Sequence, residues 1–76
     1  MDDAAIRNAI LTLALERGRD KTLCPSEPAR ALSENWCDLM PDIRRVASDM
    51  PEIEARQKGT PVDPLTARGP IRLALK

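Results

Sequence analysis

The spacing of apolar residues changes once along this chain, at Pro51, and that change limits the folds open to it. Before Pro51 the apolar positions recur at helical intervals, and after it they alternate. The clearest helical stretch lies just upstream, where Leu39, Ile43, Val46, Ala47 and Met50 form one stripe and leave Arg44, Arg45 and Ser48 on the opposite face. Downstream, Ile53, Ala55 and Gln57 alternate with Glu54, Arg56 and Lys58, as a strand with one half-wet face requires. Gly59, Pro61, Asp63, Pro64, Gly69 and Pro70 then interrupt any ladder. A final strand is expected where Ile71, Leu73 and Leu75 alternate with Arg72 and Ala74.

Two further helices precede the stripe. From Asp2 to about Arg17, the residues Ile6, Ala9, Ile10, Leu13 and Ala14 share one face, the acidic start suits the helix dipole, and Gly18 provides a stop. Leu11 and Leu15 fall off that face, so this helix either packs on two sides or lends the pair to a partner. Lys21 to Cys24 reads as a short extended stretch because Pro25 biases the residue before it away from helix. A second helix is expected from Ser26, with the Ser26 hydroxyl as cap, Glu27 complementing the dipole, Pro28 tolerated in the first turn, and Ala29 and Leu32 facing inward. Ser33 to Cys37 is expected as a connection. Asp38 is one possible cap for the third helix, Pro41 a first-turn residue, and Met50 its approximate end. Helix, short strand, helix, helix, strand, loop, strand is winged-helix order: an α+β winged helix-turn-helix of three helices with a short first strand and a C-terminal β-hairpin wing, one domain over residues 1–76.

Composition narrows the function classes. At 76 residues the chain can bury only about 60% of the surface it exposes when unfolded, enough for one modest core. Trp36 is the one aromatic residue, so the core must be aliphatic and there is no stacking platform for single-stranded bases. A hydrophobic fraction of 42% beside 32% charged residues is globular composition. No apolar run approaches the roughly 18 residues of a membrane span, and no leader pattern opens the chain, so a soluble, unprocessed, cytoplasmic protein that engages no membrane is expected. With Cys24 and Cys37 the only thiols and no histidine, no four-ligand zinc site can form from thiols and imidazoles, and no metal or small-molecule cofactor is expected. Without histidine, a Gly-rich phosphate loop or convincingly paired carboxylates, the reading is not an enzyme.

A set of local patterns then stands out: Lys21-Thr22-Leu23-Cys24-Pro25-Ser26-Glu27; Ala29-Arg30-Ala31-Leu32; Trp36; Leu39-Met40-Pro41 and Arg44; Gln57-Lys58-Gly59; Val62-Asp63-Pro64; and Gly69-Pro70-Ile71-Arg72. Together, from about Ile6 to Leu75, they resemble the DUF3253 family of short bacterial proteins of unknown function. The resemblance implies a winged-helix type of fold, in agreement with the periodicity, and implies no activity.

The formal net charge is zero, but residues 1–42 carry five Lys/Arg against eight Asp/Glu while residues 43–76 carry seven against four. That asymmetry suits a polyanion-binding face in the second half. The nucleic-acid candidates are Arg44, Arg45 and Ser48, set to enter the major groove of double-stranded DNA, with Lys58 and Arg68 on the wing holding the backbone. Against them, Asp42 and Asp49 border the same helix face, and Arg44 and Arg45 can equally be a solvated face. The alternative is a protein-interaction or homodimerisation module that makes contact through Leu11, Leu15 and Trp36. Trp36 is otherwise expected to pack between the second and third helices. Cys24 reads as core filler more than as a reactive thiol. Arg72 is expected to bridge Glu54, and Arg30 to be solvated.

Overall fold

The computed structural model describes residues 2–76. Three helices, α1 (Asp3–Arg17), α2 (Ser26–Leu32) and α3 (Trp36–Ser48), precede three strands, β1 (Ile53–Gln57), β2 (Thr60–Val62) and β3 (Arg72–Leu75). The strands form one antiparallel sheet in the order β2-β1-β3. The architecture is α+β and winged-helix-like.

The local chemistry of α1 accounts for both of its ends. The Asp2 carboxylate accepts the Ala4 amide at 3.1 Å, relieving one of the orphan donors of the first turn. Gly18 leaves the helix at φ +80° while its amide donates to the Ala14 carbonyl at 2.9 Å. Ile6, Ile10 and Ala14 are buried. The off-face pair divides: Leu11 packs partly against the core, whereas Leu15 stays 62% exposed.

The start of α2 corrects the expected cap. Ser26 is its first helical residue and its hydroxyl turns to the Cys24 sulfur at 3.1 Å. The capping is done by Glu27, whose carboxylate accepts the Cys24 amide at 2.8 Å while the Glu27 amide donates to the Cys24 carbonyl at 2.9 Å. The Glu27 side chain reaching back to the amide three residues earlier is the glutamate half of a capping box. The same carboxylate is ion-paired with Arg17, joining the end of α1 to the start of α2.

The start of α3 is a second correction. The expected connection over Ser33–Cys37 is shorter, because α3 begins at Trp36; Asp38 lies within its first turn, and Pro41 is inside the helix. Proline in a helix interior removes one backbone bond, to the carbonyl four residues back. That carbonyl belongs to Cys37, which is exposed. The stripe behaves as expected: Ile43, Val46, Ala47 and Met50 are buried and Leu39 partly so.

In the sheet, Lys58 (φ +52°) and Gly59 (φ +80°) make the two-residue turn that joins β1 to β2. Positive φ at both positions is the geometry a tight hairpin requires. This turn carries the chain into Thr60–Val62, a strand in a region expected to interrupt the ladder. Pro61 is accommodated because β2 is an edge strand. The expected short first strand reduces to a single bridge, with the Leu23 and Leu73 amides each donating to the other's carbonyl at 2.8 Å. Leu23 and Leu73 are both fully buried in a core shared with Ile6, Ile10, Ala29, Ile43, Val46, Met50, Ile53, Ala55 and Ile71. Trp36 packs partly against that core, and the Arg30 guanidinium, expected to be solvated, lies 4.4 Å from its ring centroid.

Candidate functional site

The face singled out by sequence is the outward side of α3 together with the wing, residues 58–71. Helical periodicity places Arg44 and Arg45 away from the buried stripe, yet neither guanidinium is unengaged. Arg44 is half-buried, and its Nη1 and Nη2 donate to the carbonyls of Ala67 at 2.8 Å and Gly69 at 2.7 Å. Arg45 reaches back to α1, donating from Nη1 and Nη2 to the two Asp3 carboxylate oxygens at 2.9 and 2.8 Å, with Asp42 at 3.4 Å. That fork-to-fork pair is the strong form of a guanidinium–carboxylate contact. It holds the Asp3 carboxyl below its usual range, chiefly through the Arg45 hydrogen bond, and makes Arg45 still harder to deprotonate. Ser48 donates to the Arg45 carbonyl at 2.6 Å within its own helix.

Lys58 and Arg68 are different. Both are exposed, Lys58 on the hairpin turn and Arg68 further along the wing, and among the described residues neither side chain makes a hydrogen bond or ion pair. The structure therefore divides the sequence candidates into three internally held groups and two open cations.

Two residues essential to this arrangement escape a sequence reading. Gln57 donates from its side-chain amide to the carbonyls of Arg68 and of Pro70, the latter at 3.2 Å. Its signal was an amide ending the apolar face of β1. Asp3 gave no comparable signal, since its partner lies 42 residues away. The expected Arg72–Glu54 bridge does not form. The register sets Arg72 opposite Arg56 and Glu54 opposite Ala74, so Glu54 takes Arg56 at 2.7 Å while Arg72 turns to the Thr22 hydroxyl at 2.9 Å and carbonyl at 3.1 Å.

The family pattern described as a protein of unknown function (DUF3253) matches residues 3–76, from the carboxylate that holds Arg45 through the last strand. The chain belongs to the DUF3253 family. No curated protein matches it. In this DUF3253 protein the exposed flank of α3 is acidic once Arg45 is neutralised: Asp38 and Asp49 are exposed, and the Asp42 side chain is 44% accessible. Among the described residues no group of three or more Cys, Asp or Glu is placed to hold a metal ion. Among the described residues no helix is long and apolar enough to cross a membrane.

The remaining relief of the DUF3253 surface is shallow. A cleft of about 530 Å³ lies between the end of α3 and the wing, with Met50, Ile53 and Val62 toward its floor and Asp49 and Asp63 among its lining. An apolar cleft of about 350 Å³ runs between α1 and α2, lined by Ala5, Ala9, Leu13, Ala31 and Leu32. Asn8 and Thr12 complete its lining on the α1 side.

Proposed function

We propose that this winged-helix-like domain serves as a protein-docking module and that its third helix does not read duplex DNA. The observation that carries this reading is the engagement of both α3 guanidinium groups by partners within the chain. A groove-reading helix needs its donors free for base edges and phosphates. Here Arg44 and Arg45 would have to break four hydrogen bonds of 2.7 to 2.9 Å to provide them, leaving Asp38, Asp42 and Asp49 facing the same phosphates. The uncharged cleft between α1 and α2, together with the exposed Leu15 on α1, is the apolar surface that this reading assigns to docking.

A second reading rests on Lys58 and Arg68: the wing alone grips duplex backbone, without sequence preference. One titration separates the readings. A fluorescent 20-base-pair duplex is titrated with protein between 50 and 200 mM salt, in the parent and in Lys58→Ala plus Arg68→Ala. Docking predicts no saturable binding in either protein. Wing-only binding predicts a salt slope of about 1.8 from two contacts, a loss of roughly 12-fold over that range, abolished in the double variant. A slope near 3.6, meaning about four phosphate contacts, would show that Arg44 and Arg45 reach the duplex after all and would overturn the docking proposal.

A further inference from the structure

The wing's return segment is held in an unusual way. The β2 ladder ends at Val62 and β3 begins at Arg72, so residues 67–70 have no strand partner. Four successive carbonyls are nonetheless occupied, and their donors alternate. Ala67 and Gly69 accept from the Arg44 guanidinium on α3, while Arg68 and Pro70 accept from the Gln57 amide on β1. Two side chains, one on each flank, do the work of two neighbouring strands. Gly69 sits between them at φ +81°, a conformation that side-chain-bearing residues rarely adopt.

The stretch just before the clasped carbonyls closes on itself. Thr66 and Ala67 donate their amides to the Asp63 carbonyl at 3.2 and 2.9 Å, and the Leu65 amide donates to the Asp63 carboxylate at 2.9 Å. Residues 63–70 thus hold their own turn, and among the described residues the polar bonds fastening the unit to the body are those from Arg44 and Gln57. Beneath the unit, Leu65 with Met40, Pro41 and Arg44 encloses a cleft of about 340 Å³, and Ala67 packs partly on the core.

We propose that Arg44 and Gln57 form a two-sided clasp that makes residues 63–70 a releasable strap over the Met40 side of α3, opened when an oxyanion takes the Arg44 guanidinium. An oxyanion competes for the group through geometry, because a carboxylate or phosphate can meet a guanidinium fork-to-fork, an arrangement that two separate carbonyls do not supply. One of the two Arg44 bonds is already at the exposed surface, which gives an entering anion access. The inference goes beyond the docking reading: it assigns α3 the role of controlling the wing, and a carboxylate or phosphate is the trigger.

Trypsin supplies the test, because cutting after Arg68 requires the strap to leave its clasp, whereas cutting after Arg30 inside α2 reports general unfolding. Removing one side of the clasp, by Arg44→Met or independently by Gln57→Ala, is expected to speed cleavage after Arg68 about tenfold with cleavage after Arg30 unchanged. Inorganic phosphate or acetate, added to the parent at constant ionic strength, is expected to speed cleavage after Arg68 and to have no further effect in Arg44→Met. The two anions identify which oxyanion is preferred. An unchanged Arg68 rate in both variants, or a rise matched at Arg30, would overturn the clasp; no response of the parent to either anion would overturn its release. Gln57→Ala keeps the test decisive if Arg44→Met fails to fold.

Discussion

Truncation of Leu73 tests the fold at the point where most of it converges. Its side chain is fully buried, its backbone exchanges two hydrogen bonds with Leu23, and it lies opposite Ala55 in the central strand. Leu73→Ala removes three buried carbons, worth about 2.4 kcal/mol in transfer free energy alone. Helix, bridge and sheet confine the site from several sides, so little collapse into the gap is expected and the full cost is about 3–5 kcal/mol. A chain of this length has roughly 4–11 kcal/mol of stability in total. With a urea m-value of about 1 kcal/mol per molar, the unfolding midpoint, followed by circular dichroism, should fall by about 3 M or the variant should be unfolded in water. Ile10→Val, at about 1 kcal/mol, gives a graded version that folds, and Leu15→Ala on the exposed side of α1 should stay within about 0.5 kcal/mol of the parent. A Leu73→Ala midpoint within 1 M of the parent, or one no lower than that of Leu15→Ala, would refute the convergence of the core on the Leu23–Leu73 bridge.

Two further outcomes follow from the side-chain chemistry. The Arg17 hydrogen bond, followed by the Cys24 amide, holds the Glu27 carboxyl below its ordinary value of 4.5. A depressed carboxylate contributes stability that is present above its unfolded value and is lost as the pH falls through the folded one. The thermal midpoint should therefore decline on acidification below about pH 4.5, with a shallower decline in Glu27→Gln; parallel acid limbs would count against the Glu27 cap. For the thiols, Cys37 is exposed, whereas Cys24 is half-buried with the Ser26 hydroxyl on its sulfur. Reaction with a disulfide reagent at neutral pH should be biphasic and Cys37→Ser should remove the fast phase, while loss of the slow phase instead would reverse the assignment.

How far the sequence could be read depended on the range of the interaction concerned. The α3 stripe from Leu39 to Met50 and the alternation of Ile53 and Ala55 are local periodicities, and both appear in the structure where they were expected. The sequence places the start of α3 about three residues late because Asp38 resembles a cap and Pro41 a first-turn residue. What makes it tolerable further inside is the exposure of Cys37, a property of the folded surface. The strand Thr60–Val62 was missed because Pro61 argues against a ladder, and an edge position removes that objection only once the strand order is known. The candidate site shows the same division. That Arg44 and Arg45 leave the core stripe is periodic information, but what they then meet is tertiary: Asp3 lies 42 residues from Arg45, and the wing carbonyls lie 23 and 25 residues from Arg44.

The bridge between Leu23 and Leu73 also bears on synthesis. A ribosome that has released the chain only as far as Val62 has supplied every residue of the three helices and of the β1–β2 hairpin. The residue that closes against Leu23 still follows 50 positions after it. At about 5–20 residues per second that interval lasts roughly 3–10 s. Ile6, Ile10 and Leu23 are therefore made seconds before the residue that completes their cover, and the bridge can close only once β3 has been synthesised.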